Sequence, residues 1–145
     1  MIGLLQRVVG AKVEIGGKIS ASIGPGFVVL VGVKPSDTKD SARSLLLRLL
    51  RYRVFDDLSG RMNRSLRDIG GDLLLVPQFT LAAGTHKGLR PGFSSAAPPE
   101  VAHLLFDYLV ELARAEHSSV QSGAFGAHMA LSLTNDGPVT FWLES

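Results

Sequence analysis

The stretch LTNDGPVTFWL, residues 133–143, decides how the end of the chain folds, because four turn-forming residues sit between two runs that otherwise read as strand. Asn135, Asp136 and Gly137 suggest a hairpin tip: glycine tolerates positive φ, and short polar side chains bond to nearby backbone. Pro138 fits that tip poorly. Directly after the turn it removes a donor from the strand it begins and fixes its own φ. The proline is therefore tolerated at an edge or used for something. The expectation is two strands, one on either side of the motif.

Working outward, the clearest element is a helix before this tail. After Pro98 and Pro99, the residues Val101, Leu104, Leu105, Tyr108, Leu109 and Leu112 recur at helical spacing, which predicts a helix from 99 to about 116. Ahead of it, GGDLLLVPQFTLAAG (70–84) reads as a buried strand punctuated by Pro77, and VFDDLSGRMN (54–63) as a short strand running into a turn at Gly60. Ala42, Leu45, Leu46 and Leu49 mark an amphipathic helix to about Tyr52, with Ser36, Asp37 and Thr38 as candidate caps. The opening is β-rich: EIGGKI (14–19) signals a Gly-Gly hairpin and GFVVLVGV (26–33) a strand buried on both faces. Two helices against many strands, several of them apolar on both faces, indicate a layered α/β domain spanning residues 1–145.

Composition limits the function. At 145 residues the chain buries roughly two thirds of the surface its unfolded form exposes. With 46% hydrophobic and 19% charged residues it is globular rather than disordered. The absence of cysteine excludes disulfides, thiolate metal sites and a cysteine nucleophile, and suits a reducing compartment, the cytoplasm by default. The start, MIGLLQRVVG, reads as a first strand rather than a leader, and no apolar run approaches the ~18 residues needed to span a bilayer. Net charge is only +2, yet Arg43, Arg48, Arg51, Arg53, Arg61, Arg64 and Arg67 cluster, and GTHKGLRPGF (84–93) holds Lys87 and Arg90 without an acid. Such clusters either meet phosphates or form a solvated basic face.

A search for catalytic apparatus mostly fails. His86, His103, His117 and His128 lack paired metal-ligand spacing, and His103 and His117 read as surface residues on or at the end of the second helix. GTHKG lacks the ending of a phosphate loop, Gly24, Gly26 and Gly32 make no dinucleotide fingerprint, and nothing marks Ser94 or Ser95 as a nucleophile. What remains is PQFTL (77–81), where an apolar strand ends in Gln78 and Thr80 just before the basic loop. Thr80 is a nucleophile only if His86 or His128 serves as its base. Alternatively, backbone N–H groups at the break hold a developing oxyanion, which requires geometry rather than a special side chain. That arrangement suits a labile ester.

Taken together, MIGLLQRV, GPGFVVLVGV, YRVFDDLSGRMN, GGDLLLVPQFTLAAGTHKGLRPGFSSAAPPE and NDGPVTFWL, in this order, resemble the D-aminoacyl-tRNA deacylases, the D-tyrosyl-tRNA deacylase family. The resemblance covers essentially the whole chain. It implies a β/β/α fold with barrel-like strands and two main helices, and hydrolysis of the ester joining a D-amino acid, or glycine, to tRNA. It further implies a cytoplasmic homodimer with no metal, cofactor or membrane. The family signatures carry over as Gln78, Phe79 and Thr80 and as Gly137, Pro138, Val139 and Thr140. Pro77 departs: the family usually has serine there, and its loss removes a hydroxyl and a backbone donor. A sister branch, animal deacylases acting on mischarged L-alanine, carries proline at that position but alanine in place of Phe79.

By the same resemblance, the Gly137-Pro138 bond is cis and enters the partner subunit's active site, forming a main-chain wall that rejects L-side chains. Arg7 braces this loop, and Phe125 and Met129 line the site near the terminal adenosine. On residue type alone, Arg7 is equally a plain edge-strand arginine, and Phe125 and Met129, four apart in a β-like segment, are equally core. Two other classes stay open: a nucleic-acid-binding module using the arginines with Lys87 and Arg90, and a structural dimerisation domain.

Overall fold

A computed structural model describes residues 1–86 and 88–145, so Lys87 of the basic loop lies outside the described residues. The chain opens with β1 (Ile2–Ile15), β2 (Lys18–Ile23) and β3 (Gly26–Gly32). Gly16 and Gly17 join the first two at φ 57° and 77°, the positive values that a two-residue hairpin turn of this kind requires at both positions. Then follow α1 (Lys39–Arg51), β4 (Phe55–Asp56), β5 (Met62–Arg64), the one-turn α2 (Leu66–Ile69) and β6 (Asp72–Pro77). The chain ends with α3 (Pro99–Glu116), β7 (Val120–Ser122) and β8 (Ala130–Glu144).

Of the three candidate caps, Thr38 caps α1, accepting from Ser41 N while Ser41 Oγ accepts from Thr38 N. Asp37 is committed elsewhere, to the Met1 amine and the Lys34 N–H. The second helix has the bounds its periodicity predicts.

The strands form a mixed, nearly closed barrel-like sheet. Along one edge, β1 pairs antiparallel with β3 through Ile2–Val8 and with β2 through Ala11–Ile15; along its other edge it pairs with β8. Strand β6 lies parallel to β3, β7 lies parallel to β6, and β2 curls over toward both. Alternation sorts the side chains. Phe27, Val29, Val31, Leu73 and Leu75 point to the helices, where they meet Leu45, Leu49, Phe106 and Leu109. Val28, Leu74 and Val76 face the other way and pack with Val8, Val13 and Ile23 inside the curl. This is why the two central strands are apolar without interruption.

The tail differs from the two-strand expectation. Residues 130–144 are one strand, and the Asn-Asp-Gly-Pro motif is a bulge in it rather than a hairpin tip. Gln6 pairs with Thr140 and Val8 with Asn135, so the single residue Arg7 faces the four residues 136–139. The long β1 offers partners on both sides of the interruption, so the chain resumes the same ladder instead of turning back. Phe125 and Met129 lie in the loop between β7 and β8, not in a strand.

Candidate active site

Strand β6 ends at Pro77, opposite Val31. Gln78 makes the last bond, its N–H donating to Val31 O at 2.7 Å, and at φ −144°, ψ 80° it leads the chain into a 3-10 turn, Phe79–Ala82. Within this turn Leu81 N donates to Gln78 O and Ala83 N to Thr80 O. The N–H groups of Phe79 and Thr80, at the start of the turn, have no acceptor among the described residues. The Gln78 side-chain amide donates to Thr80 Oγ1, and no histidine bonds that hydroxyl among the described residues. The nucleophile reading of Thr80 thus lacks its base.

Beside this turn lies a mostly apolar cavity of about 440 Å³. Its wall includes Pro77, Gln78, Phe79, Phe125, Met129 and Leu131. Four residues named from sequence, Gln78, Phe79, Phe125 and Met129, are therefore brought together, and Thr80 adjoins them. Pro77 is part of the wall: a Cβ on Gly123 would lie 3.3 Å from Pro77 Cδ and 2.9 Å from Met129 Sδ, so these three groups are closely packed. Phe93, which no pattern singled out, stands with its ring centre 5.1 Å from that of Phe79, and both rings are largely exposed. The signal available was an aromatic in an otherwise Gly- and Ser-rich loop.

The second group of residues sits on β8. Gly137 and Pro138 are exposed, joined by a cis peptide bond, with Gly137 at φ 135°. Asn135 closes the bulge: its Oδ1 accepts from Val139 N at 2.6 Å and its Nδ2 donates to Thr140 Oγ1 at 2.9 Å. Arg7, only 7% exposed, reaches into the same bulge. Its Nε donates to Asp136 O at 3.0 Å and lies 3.3 Å from the Asp136 carboxylate, while Nη1 donates to Val54 O, 3.8 Å from Asp56. Val54 is within reach because Phe55 stacks on Phe27, the cross-strand partner of Arg7. The β4–β5 hairpin is set by Asp57, whose carboxyl is lowered to about 2, first by the Ser59 hydroxyl and then by the N–H groups of Arg61 and Ser59.

Arg7 thus ties the bulge to the hairpin, and is not a plain surface residue. Arg7→Ala is expected to lower stability by about 2–3 kcal/mol, since it leaves two carbonyls without their donor. Urea denaturation measures this, and Arg7→Lys should recover little, because a point-like ammonium cannot serve both carbonyls.

The two groups are not adjacent. Arg7 shares a cross-strand row with Phe27 and Leu73, whereas the cavity begins at the row of Leu4, Leu30 and Val76. Three residues separate those rows, roughly 10 Å along the strands. The basic face is also less free than its sequence suggests. Arg43 bonds Tyr108, Arg48 bonds Glu144 O, Arg53 bonds Asn63, Arg64 bonds Asp68 O and Arg67 pairs with Glu116. His117 is not a plain surface residue, since its half-buried Nε2 lies 2.6 Å from Gly71 O and ties the end of α3 to the start of β6.

Residues 4–144 match the family model described as D-Tyr-tRNA(Tyr) deacylase. The chain is 57% identical over 144 residues to the "D-aminoacyl-tRNA deacylase" of Pseudomonas putida, covering 99% of each, and 58% identical to that of Pseudomonas fluorescens, covering all of both. The solved structure of a "c-Myc DNA Unwinding Element Binding Protein" superposes with TM-score 0.95 at 37% identity, over 100% of this chain and 99% of that one. The fold alone is shared with a probable eukaryotic D-amino acid tRNA deacylase, TM-score 0.89 at 19% identity, covering 99% and 98%. With the match running from β1 to the end of β8, the chain belongs to the D-Tyr-tRNA(Tyr) deacylase family, hydrolases acting on an ester bond.

Proposed function

We propose that the protein, acting as one domain per subunit in a cytoplasmic homodimer, hydrolyses the ester between tRNA and a D-amino acid or glycine. The observation that carries this reading is the pair of unengaged N–H groups of Phe79 and Thr80 beside an apolar cavity. Aimed at the ester carbonyl, they stabilise the charge that develops on its oxygen when water attacks. An aminoacyl ester is already activated, and its neighbouring 2′-hydroxyl is available to assist, so positioning and charge stabilisation suffice. Water adds to the carbonyl carbon, the ester C–O bond breaks, and the ribose oxygen leaves with a proton.

The Gly137-Pro138 bulge lies exposed and some distance along the strands from the cavity of its own subunit, which supports its serving the partner's cavity. There it forms the wall that excludes an L-side chain, Arg7 and Asn135 hold its shape, and Phe125 and Met129 face the terminal nucleoside. Glycine, with no side chain to clash, passes.

The test is deacylation of one tRNA charged with D-tyrosine, L-tyrosine or glycine. Loss of the D- and glycyl esters with the L-ester spared is expected; equal loss of the L-ester would mean that Pro77 has relaxed the cavity. Thr80→Ala should keep kcat within about tenfold, as a side chain that only orders Gln78 predicts. A drop of several orders of magnitude with binding intact would make Thr80 the nucleophile. A second reading, nucleic-acid binding without catalysis, is favoured by the similarity to the c-Myc DNA Unwinding Element Binding Protein, a relative named for binding DNA. It predicts tight, salt-dependent affinity for uncharged nucleic acid, and the internal partners of five of the seven clustered arginines weigh against it.

A further inference from the structure

His103 stands just outside the cavity. The start of α3 places Pro99 and Ala102 on the cavity wall, and His103 follows without joining that wall. Its ring lies over the ring of Phe125, centroids 4.6 Å apart and planes 7° from parallel. Phe125 is supported from the core by Phe106, centroids 6.4 Å apart. One helical turn on, the Asp107 carboxylate lies 3.3 Å from His103 Nε2 and fixes the ring's orientation. The result is a two-ring stack whose inner member lines the cavity and whose outer member is 54% exposed.

We propose that the exposed face of His103 is a stacking platform for the nucleobase one position before the esterified nucleoside. The inference rests on the ester-hydrolysis reading. With the carbonyl oxygen at the Phe79 and Thr80 N–H groups, a cavity of about 440 Å³ holds one nucleoside-sized group. The preceding nucleotide then lies beyond the rim, where the His103–Phe125 stack ends. Unpaired bases are held on aromatic faces because every base offers a π-face, so the contact tolerates any sequence. A phosphate is the poorer occupant. The Nε2 edge that would meet it is already held by a carboxylate, which repels a second anion.

The experiment compares wild type, His103→Ala and His103→Phe on two substrates: D-tyrosyl-tRNA, and the D-tyrosyl ester of adenosine alone, which has no preceding base. His103→Ala is expected to raise KM for the charged tRNA roughly 5- to 100-fold, leaving kcat and the adenosine ester unchanged. His103→Phe should return KM to near the wild-type value, since it keeps the flat face. Equal losses on both substrates would reduce His103 to a brace for Phe125 and overturn the proposal. So would an unchanged KM for tRNA, or failure of phenylalanine to restore it. A wild-type protein that cleaves neither ester would overturn the hydrolysis reading itself, and the platform with it.

Discussion

Phe79→Pro is expected to lower kcat for D-tyrosyl-tRNA by roughly 10²–10³-fold beyond whatever Phe79→Ala costs, the effect of removing one oxyanion donor. The comparison isolates a single hydrogen. Both variants lose the exposed aromatic ring, but only proline removes the backbone N–H. The first position of a helical turn accepts proline, because its N–H has no partner inside the turn. Gln78, at φ −144° and ψ 80°, lies outside the helical region that a following proline disfavours. The turn should therefore persist, which circular dichroism and a thermal melt would check. Single-turnover kinetics then decides: equal rates for proline and alanine would remove the Phe79 N–H from the mechanism.

Gly137→Ala should cost a further large factor by a different route, roughly 10²-fold in kcat/KM, the scale attached to a misplacement of about 1 Å in a binding element. At φ 135° an L-residue is strained, and the new Cβ would stand 2.6 Å from Val139 Cγ2 and 3.1 Å from Val139 N. The bulge must shift, while Arg7 and Asn135 anchor its flanks. Gly137 itself is exposed, so the fold should survive and the loss should appear in catalysis. The two variants together also test the shared site. A Phe79→Pro subunit has an intact bulge and a Gly137→Ala subunit an intact cavity, so each mixed dimer holds one complete site. Random mixing should recover about a quarter of wild-type activity. No recovery from a verified mixture would place cavity and bulge in the same subunit.

Helices α1 and α3 and strands β1, β3 and β6 are legible in the sequence because each carries its own period. Leu45, Leu46 and Leu49 on one stripe, or GFVVLVGV bounded by glycines, leave little choice once a core must be covered. The strand-end site is partly legible for a similar local reason: a proline within an apolar strand marks where that strand stops. Strand β7, with three residues and no alternation, leaves no such mark, because its pairing with Leu73–Leu75 is decided by β6 rather than by Val120–Ser122.

The sequence by itself determined the layered α/β class, the strand break at Pro77 and, through its ordered motifs, the family. All of these depend on residue type and short-range spacing. Only the tertiary structure decided that Asn-Asp-Gly-Pro is a bulge. A turn signal states that the chain departs from a ladder, but whether it returns depends on the partner, and the 14-residue β1 offers one on both sides. The bracing of that bulge by Arg7 through Val54, the stacking of His103 on Phe125 and the separation of the bulge from the cavity are likewise long-range facts. The contacts join residues far apart in the chain, and only the closing of the sheet brings them within a few ångströms, while the same packing keeps the bulge and the cavity apart.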